Sequence, residues 1–275
     1  MDLLSAKAIE NIRLGILEPL QKNMYTGVSE NISAMLEALY ARIPDNRRIS
    51  CGRVYTVKLL CRHIHEALTR AGAPVFSVAS GLWERCADVR ARGVCLGLLS
   101  HHGLRDLRSV LPYFEDAASS SEWDLREFAQ MFFRKLIKPH PGDAKRFLMR
   151  LAGSADPRLR RFVSETLRPV RENRWFYGKP DYPLTILKLL FAESAPYPRS
   201  SVGNNLSDLA RRLPELVYDL VKDLVASGNR SSYWIATRAC RNLVKREPLR
   251  VMDILGVDEY RYKKEVYRRI DYQGN

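Results

Sequence analysis

Apolar residues recur at helical spacing along nearly the whole of this chain, and no comparable run alternates with a period of two. Met35, Leu36, Leu39 and Tyr40 form one stripe, Val54, Val57, Leu60, Cys61, Ile64 and Leu68 a second, and Leu216, Val217, Leu220, Val221 and Leu224 a third. Breakers interrupt the pattern at short intervals: Pro44-Asp45-Asn46, Gly72-Ala73-Pro74, Pro139-His140-Pro141-Gly142, Asp156-Pro157, Gly178-Lys179-Pro180, Pro196-Tyr197-Pro198, Pro214, Gly228-Asn229 and Pro248. Helices of about 10 to 20 residues joined by short turns, with no strands to pair, predict an all-α protein. The last stretch, from Asp258, is charged and rich in Tyr, and reads either as a terminal helix or as a tail.

The helices carry a repeat. LREFAQMFF from Leu125, LRRFVSETL from Leu159, PRSSVGNNL from Pro198 and IATRACRNL from Ile235 overlay without gaps, their starts 34, 39 and 37 residues apart. In each, the fifth residue is small or β-branched (Ala129, Val163, Val202, Ala239) and the ninth large and apolar (Phe133, Leu167, Leu206, Leu243), a pair on one helix face. Second helices, GDAKRFLMRLAG and PELVYDLVKDLVAS, lie between them. Variable spacing and missing consensus residues argue against a tetratricopeptide array. A HEAT-like α-solenoid is expected over residues 1–257, with residues 1–120 as N-terminal helices and 121–257 as the repeats that carry the site. A non-repetitive helical bundle is the alternative.

Length and composition narrow the class. At 275 residues, with 46% hydrophobic and 28% charged residues, the chain has enough material for a core, which excludes a disordered protein or a small disulfide scaffold. Lys plus Arg number 45 and Asp plus Glu 31, a net charge of +14 that attracts polyanions. Residues 1–120 hold 15 basic and 12 acidic residues and residues 121–275 hold 30 and 19, so +11 of the charge lies in the second half. Arg158, Arg160, Arg161, Arg168, Arg171 and Arg174 cluster within 17 residues. The five cysteines, Cys51, Cys61, Cys86, Cys95 and Cys240, form no C-x-x-C pair and read as reduced thiols. No stretch approaches the ~18 apolar residues of a membrane span, and the N-terminus has no signal-peptide block, so a cytoplasmic protein, a monomer without membrane contact, is expected.

Four further elements fall in order: Glu122-Trp123-Asp124-Leu125-Arg126-Glu127-Phe128-Ala129; Ser164-Glu165-Thr166-Leu167-Arg168-Pro169 followed by Trp175; Ser201-Val202-Gly203-Asn204-Asn205-Leu206-Ser207-Asp208; and Trp234-Ile235 with Arg238-Ala239-Cys240-Arg241-Asn242-Leu243. Over roughly residues 120 to 257 the chain resembles the DNA alkylation repair glycosylases of the AlkC/AlkD type. The resemblance implies a HEAT-like superhelix whose concave basic surface cradles duplex DNA. It also implies excision of cationic alkylated purines such as 3-methyladenine, in base excision repair, without flipping the base into a pocket and without metal or cofactor. By resemblance to the AlkC-like branch, Glu127, Phe128, Glu165, Arg168 and Trp175 line the lesion site, with Asp208 and Asn205 next in rank. Glu127, Glu165 and Asp208 are the candidate catalytic carboxylates. Trp123, Arg161, Trp234, Arg238 and Arg241 join them as candidate contacts to the alkylated duplex. Two departures stand out: Val170 to Arg174 lengthen the loop before Trp175, and Arg238 replaces the usual His of W-x-x-x-H-A.

The chemistry suits these residue types. Cleaving the N-glycosidic bond of an alkylated purine develops oxocarbenium charge on the sugar, while the cationic base already leaves well without a general acid. A carboxylate near the deoxyribose stabilises that charge and positions a water. Carboxylates facing duplex phosphates need flanking cations, and Arg126, Arg161 and Arg168 flank Glu127 and Glu165. An indole offers the cationic base a π-face, worth ~0.5 to 2 kcal/mol.

Other readings of the same residues stay open. Glu165 with Arg161 or Arg168 has the spacing of a helix-surface ion pair, Phe128 and the tryptophans suit core packing, and Asn204-Asn205 suit a local backbone cap. Cys61-x-His63-x-His65 offers soft ligands, but i, i+2 spacing points them apart on a helix, so no metal site is expected. His101-His102-Gly103 reads as a helix end. No nucleotide-binding, zinc-protease or serine-hydrolase motif is present. A non-catalytic HEAT-like scaffold for nucleic acid or protein is the alternative function, and the paired carboxylates among the arginines favour the enzyme.

Overall fold

Every breaker read from the sequence lies between two helices or in the first turn of one in the computed structural model, which describes residues 3–48 and 52–272. Fifteen α-helices form among the described residues, and the chain divides into two compact units, Met1–Ala144 and Lys145–Asn275. The fold is all-α but for one short hairpin among the described residues.

In the first unit α1 (Ala6–Ile12) passes through a π turn (Arg13–Leu17) into α2 (Glu18–Gln21). Then come α3 (Val28–Ala41), α4 (Arg53–Arg70), α5 (Val75–Arg85), α6 (Val89–Gly103), α7 (Leu107–Ser119) and α8 (Trp123–Ile137), with α9 (Pro141–Ala152) beginning at the end of the unit. Asp88 starts α6 by accepting from the backbone N–H groups of Arg90 and Ala91, each at 2.9 Å, and Asp106 starts α7 in the same way. Helix α6 lacks a polar face over Gly93–Ser100, and those residues are all buried, with α4, α5, α7 and α8 packed around it. Two glycines permit the close approach. A Cβ at Gly93 would sit 2.6 Å from Cδ2 of Phe128, and one at Gly97 would meet Cys61 and lie 2.9 Å from Cζ of Phe132. The helix ends at Gly103, as the His-His-Gly triplet suggested.

In the second unit α10 (Pro157–Thr166) leads through a 3-10 turn (Arg171–Tyr177) to α11 (Asp181–Leu187). It continues with α12 (Pro196–Leu209), α13 (Pro214–Ala226), α14 (Arg230–Ala239) and α15 (Pro248–Leu255). Proline opens α10, α12, α13 and α15, where its missing N–H is not needed. Alternate helices stack side by side, α4, α6 and α8 in the first unit and α10, α12 and α14 in the second, the mark of helix-pair repeats. All eight positions of the overlay are core: Ala129, Val163, Val202, Ala239, Phe133, Leu167, Leu206 and Leu243 are each at most 1% exposed.

The final stretch is neither helix nor loose tail. Residues β1 (Glu259–Tyr262) and β2 (Glu265–Arg268) form an antiparallel hairpin, Glu259 opposite Arg268 and Tyr262 opposite Glu265, ending in a 3-10 turn (Arg269–Tyr272). Alternation sets Tyr260 inward, where it is buried and its hydroxyl donates to the carbonyl of Thr237 at 2.8 Å. The four described cysteines are buried free thiols, while Cys51 lies outside the described residues. No helix among the described residues is long and apolar enough to cross a membrane.

Candidate nucleic-acid interface

Arg161 and Glu165 stand one turn apart on α10, and Arg168 follows just past its C-terminal end. Glu165 is 4% exposed and accepts from Arg161 Nη1 at 2.9 Å, from Arg168 Nη1 at 3.2 Å and from the Ser201 hydroxyl of α12. Burial raises its carboxyl, but the Arg161 charge, the Ser201 hydroxyl and Arg168 outweigh that and hold it below the usual glutamate range. Both helix-surface ion pairs allowed by the spacing are therefore made, and they are buried rather than exposed. Arg168 continues the chain of charge by donating from Nε at 3.0 Å and Nη2 at 2.5 Å to one oxygen of Asp208. The other Asp208 oxygen lies 3.7 Å from both Arg211 and Arg241.

The ladder extends onto α14. Asn204 accepts from Arg238 Nε at 2.9 Å and Arg241 Nη1 at 2.6 Å, and Arg241 Nε donates to the Ser207 hydroxyl at 3.0 Å. Trp234 is half-buried between two guanidinium groups, Arg199 at 4.5 Å and Arg238 at 5.4 Å from its ring. Among the described residues no carboxylate lies within ion-pair distance of Arg199 or Arg238, and the buried Arg199 Nε has no protein acceptor. Burial and the nearby Arg241 charge push the Arg238 guanidinium down from its ordinary value, an electrostatic stress that an anion at this face relieves.

Other expected residues are spent on the fold. Asn205 is fully buried and donates to the carbonyl of Ser164 at 2.8 Å, clamping α12 to α10. Asn173, in the longer loop, donates to the carbonyls of Thr166 and Arg168 at 2.7 and 2.9 Å, which fixes the chain just past α10. Trp175 follows in that loop, half-buried, with Phe176 and Tyr182 at 4.5 and 5.2 Å; its buried Nε1 has no protein acceptor. Of the clustered arginines, Arg160 holds the buried Glu193 at 2.5 and 3.0 Å and Arg158 holds its own cap residue, Asp156. These two brace helix ends, whereas Arg161 and Arg168 belong to the ladder and Arg171 and Arg174 are exposed.

In the first unit Glu127 is half-buried on α8 and accepts from Gln130 one turn on. It borders a cavity of about 450 Å³ with Arg53, Arg90, Trp123, Asp124 and Phe128. Trp123 is 56% exposed at its mouth, so its ring is not core, while Phe128 is 3% exposed and packs on Gly93. Arg53 and Arg90 both pair with Glu37, which keeps the cavity wall near neutral. Glu127 and Glu165 thus differ in setting: one borders a cavity, the other is enclosed by Arg161, Arg168 and Ser201.

Sequence reasoning gave no site role to Arg53, Arg90, Arg199, Ser201, Asn204 and Ser207, although Ser201, Asn204 and Ser207 stand in the Ser201–Asp208 element. A signal existed for part of this group: Ser201, Asn204, Asn205 and Asp208 recur at i, i+3, i+4 and i+7 among Val202, Leu206 and Leu209, a polar stripe on a buried helix. Among the described residues no cluster of three or more His, Cys, Asp or Glu side chains could hold a metal ion, and His65 stacks on His101 at 3.9 Å instead of joining Cys61.

No family model and no curated protein matches the chain. Solved structures do, among them the following two. The alkylpurine DNA glycosylase AlkC of Pseudomonas fluorescens, bound to DNA containing an abasic site analog, is 19% identical with a TM-score of 0.60, over 91% of this chain and 67% of that one. The protein smu.31 of Streptococcus mutans UA159 is 18% identical with a TM-score of 0.51, over 67% of this chain and 98% of that one. The chain has the AlkC-like helical-repeat fold.

Proposed function

We propose that the protein is a DNA glycosylase that removes cationic alkylated purines of the 3-methyladenine type from duplex DNA, the first step of base excision repair inside the cell. One observation carries the reading: the Glu127 carboxylate borders a cavity of about 450 Å³ beside the exposed Trp123 indole, a feature that a pure phosphate binder has no use for. The fold likeness to a DNA-bound AlkC supports it.

Glu127 is the carboxylate assigned to the sugar. It borders a cavity beside an exposed indole, which leaves room for a sugar and its base next to the carboxylate. As the N-glycosidic bond breaks, its electron pair neutralises the departing cationic base, positive charge grows on the deoxyribose, and the carboxylate stabilises that charge. Water then adds to the sugar carbon and passes a proton to the carboxylate, leaving an abasic site. The Trp123 ring offers its π-face to the base cation before it leaves.

Glu165 and Asp208 act one step back. Held by Arg161, Arg168, Arg211 and Arg241, they order a row of guanidinium groups for the phosphates of the duplex. Trp234, flanked by Arg199 and Arg238, extends that row, and Trp175 supplies a second aromatic edge with an unused N–H. The full pairing of Glu165 and Asp208 is also what a non-catalytic duplex-binding scaffold would carry.

Incubation with N-methylated duplex and chromatography of the supernatant separates the two. Release of free 3-methyladenine supports the glycosylase; retention of the duplex with no free base leaves the scaffold.

A further inference from the structure

We propose that the C-terminal hairpin is a second nucleic-acid contact, a lysine-tipped arm that holds duplex phosphates beside α14. This rests on the reading of α10, α12 and α14 as a duplex-binding face, and extends it to an element outside the repeats.

The turn carries the first argument. Tyr262 pairs with Glu265, so Lys263 and Lys264 are the two central residues of the hairpin. Lys263 adopts a positive φ of 58°, a conformation that Gly or Asn occupies more easily, and tight hairpins favour Asn-Gly or Gly-containing turns for that reason. A connection selected only to close the strands would not place two adjacent like charges there.

The charge distribution carries the second. The other cations of the hairpin are matched: Arg261 and Arg268 share Glu259, and Arg269 pairs with Asp253 and Asp258. Among the described residues neither Lys263 nor Lys264 has a carboxylate within ion-pair distance, and Glu265 next to them is taken by Lys245 at 3.3 Å and the Tyr267 hydroxyl at 3.0 Å. The surplus positive charge is therefore at the tip, and both lysines are exposed.

Position carries the third. Tyr260 pins the hairpin to α14 through the Thr237 carbonyl, and Tyr262, adjacent to the tip, sets its hydroxyl 3.5 Å from Arg241 Nη1. Arg241 is the same residue that reaches Asn204 and Ser207, so the tip adjoins the charged ladder rather than standing apart from it. A rigidly docked pair of lysines at the edge of a basic face suits the regularly spaced phosphates of nucleic acid.

The test compares the full-length protein with Lys263→Gly and the double variant K263Q/K264Q on undamaged duplex at several salt concentrations. Each lost phosphate contact lowers the slope of log K against log salt by about 1, so the double variant should lose about 2 and bind all sequences more weakly. Glycine relieves the positive φ, so Lys263→Gly should melt no lower than the parent while binding more weakly, the opposite of what a merely structural lysine gives. K263R/K264R should restore the slope. If the parent binds duplex and these variants bind it equally well with the same slope, the hairpin is not a contact although the reading of the helices stands. If the parent binds no duplex at any salt, both fall together.

Discussion

Arg168, just past the C-terminal end of α10, reaches α12 and sets both its Nε and its Nη2 on a single carboxylate oxygen of Asp208, at 3.0 and 2.5 Å. The same guanidinium holds Glu165 through Nη1, so one side chain couples two buried acids on neighbouring repeats. Asp208→Ala leaves Arg168 and the nearby Arg241 short of negative charge in a largely enclosed site. Because the Arg168 side chain keeps 29% exposure, water offsets part of the loss, and the expected destabilisation is about 1 to 3 kcal/mol. Urea unfolding checks this; a midpoint equal to the parent's would mean that the pair contributes nothing to the fold.

Glu127 and Glu165 should part company under the same substitution. Glu127→Gln keeps the shape of a half-buried side chain at a cavity wall and removes its charge, so duplex affinity should be little changed while release of 3-methyladenine falls on the order of 100-fold or more. Glu165→Gln keeps one acceptor oxygen where Arg161, Arg168 and Ser201 now converge on two, so it should lower the melting temperature as well as excision. Single-turnover base release and thermal melts on the same preparations decide the matter. Full excision by Glu127→Gln removes it from the chemistry whatever else the protein does.

The helices and their repeat were legible because they depend on local periodicity: Ala129, Val163, Val202 and Ala239 are buried as their shared register required. The site was legible only where its pairs are local, as with Glu165 and its two arginines at i−4 and i+3. Arg160 shows why the rest was not. Its partner, Glu193, lies 33 residues away and becomes a neighbour only through the packing of later elements, so a cluster of arginines in the sequence separates into braces and ladder in space. Asn205 is a similar case, since nothing in Asn204-Asn205 says which amide turns inward to Ser164 and which outward to Arg238. The hairpin was missed because Lys263-Lys264 stands where a turn signal of the Asn-Gly type would be.

Gly93 gives a way to move the wall of the Glu127 cavity without touching a charged group. A Cβ there would lie 2.6 and 2.8 Å from two atoms of the Phe128 ring, so Gly93→Ala forces the ring to shift within a closed core. The gain in helix propensity does not offset that crowding, and the expected net cost is about 1 to 3 kcal/mol. Phe128 is the next residue to Glu127, so base release should fall more than duplex affinity does. Unchanged stability in denaturant would show that α6 and α8 can separate at this point.

Acid should weaken the first unit before it weakens the Glu165 ladder. Burial, reinforced by the facing His65 and by Lys135, pushes the His101 imidazole down from 6.5 to about 4, so the folded protein favours the neutral ring more than the unfolded chain does. A depressed folded value means that the stabilisation is fully present above pH 6.5 and is lost progressively as pH falls from 6.5 to about 4, below which it declines no further. His63 and His65 are shifted in the same direction by burial and add to the same slope. Glu165 has the same sign in a lower window: its folded carboxyl lies below 4.5, so its contribution is present above pH 4.5 and disappears only as pH drops through the folded value. His101→Phe keeps a ring to stack on His65 and removes one titration, so its stability should change less between pH 6.5 and 4.5 than the parent's. Denaturant midpoints at half-unit pH steps measure both slopes, and identical slopes for parent and variant would exclude His101 as the group that titrates.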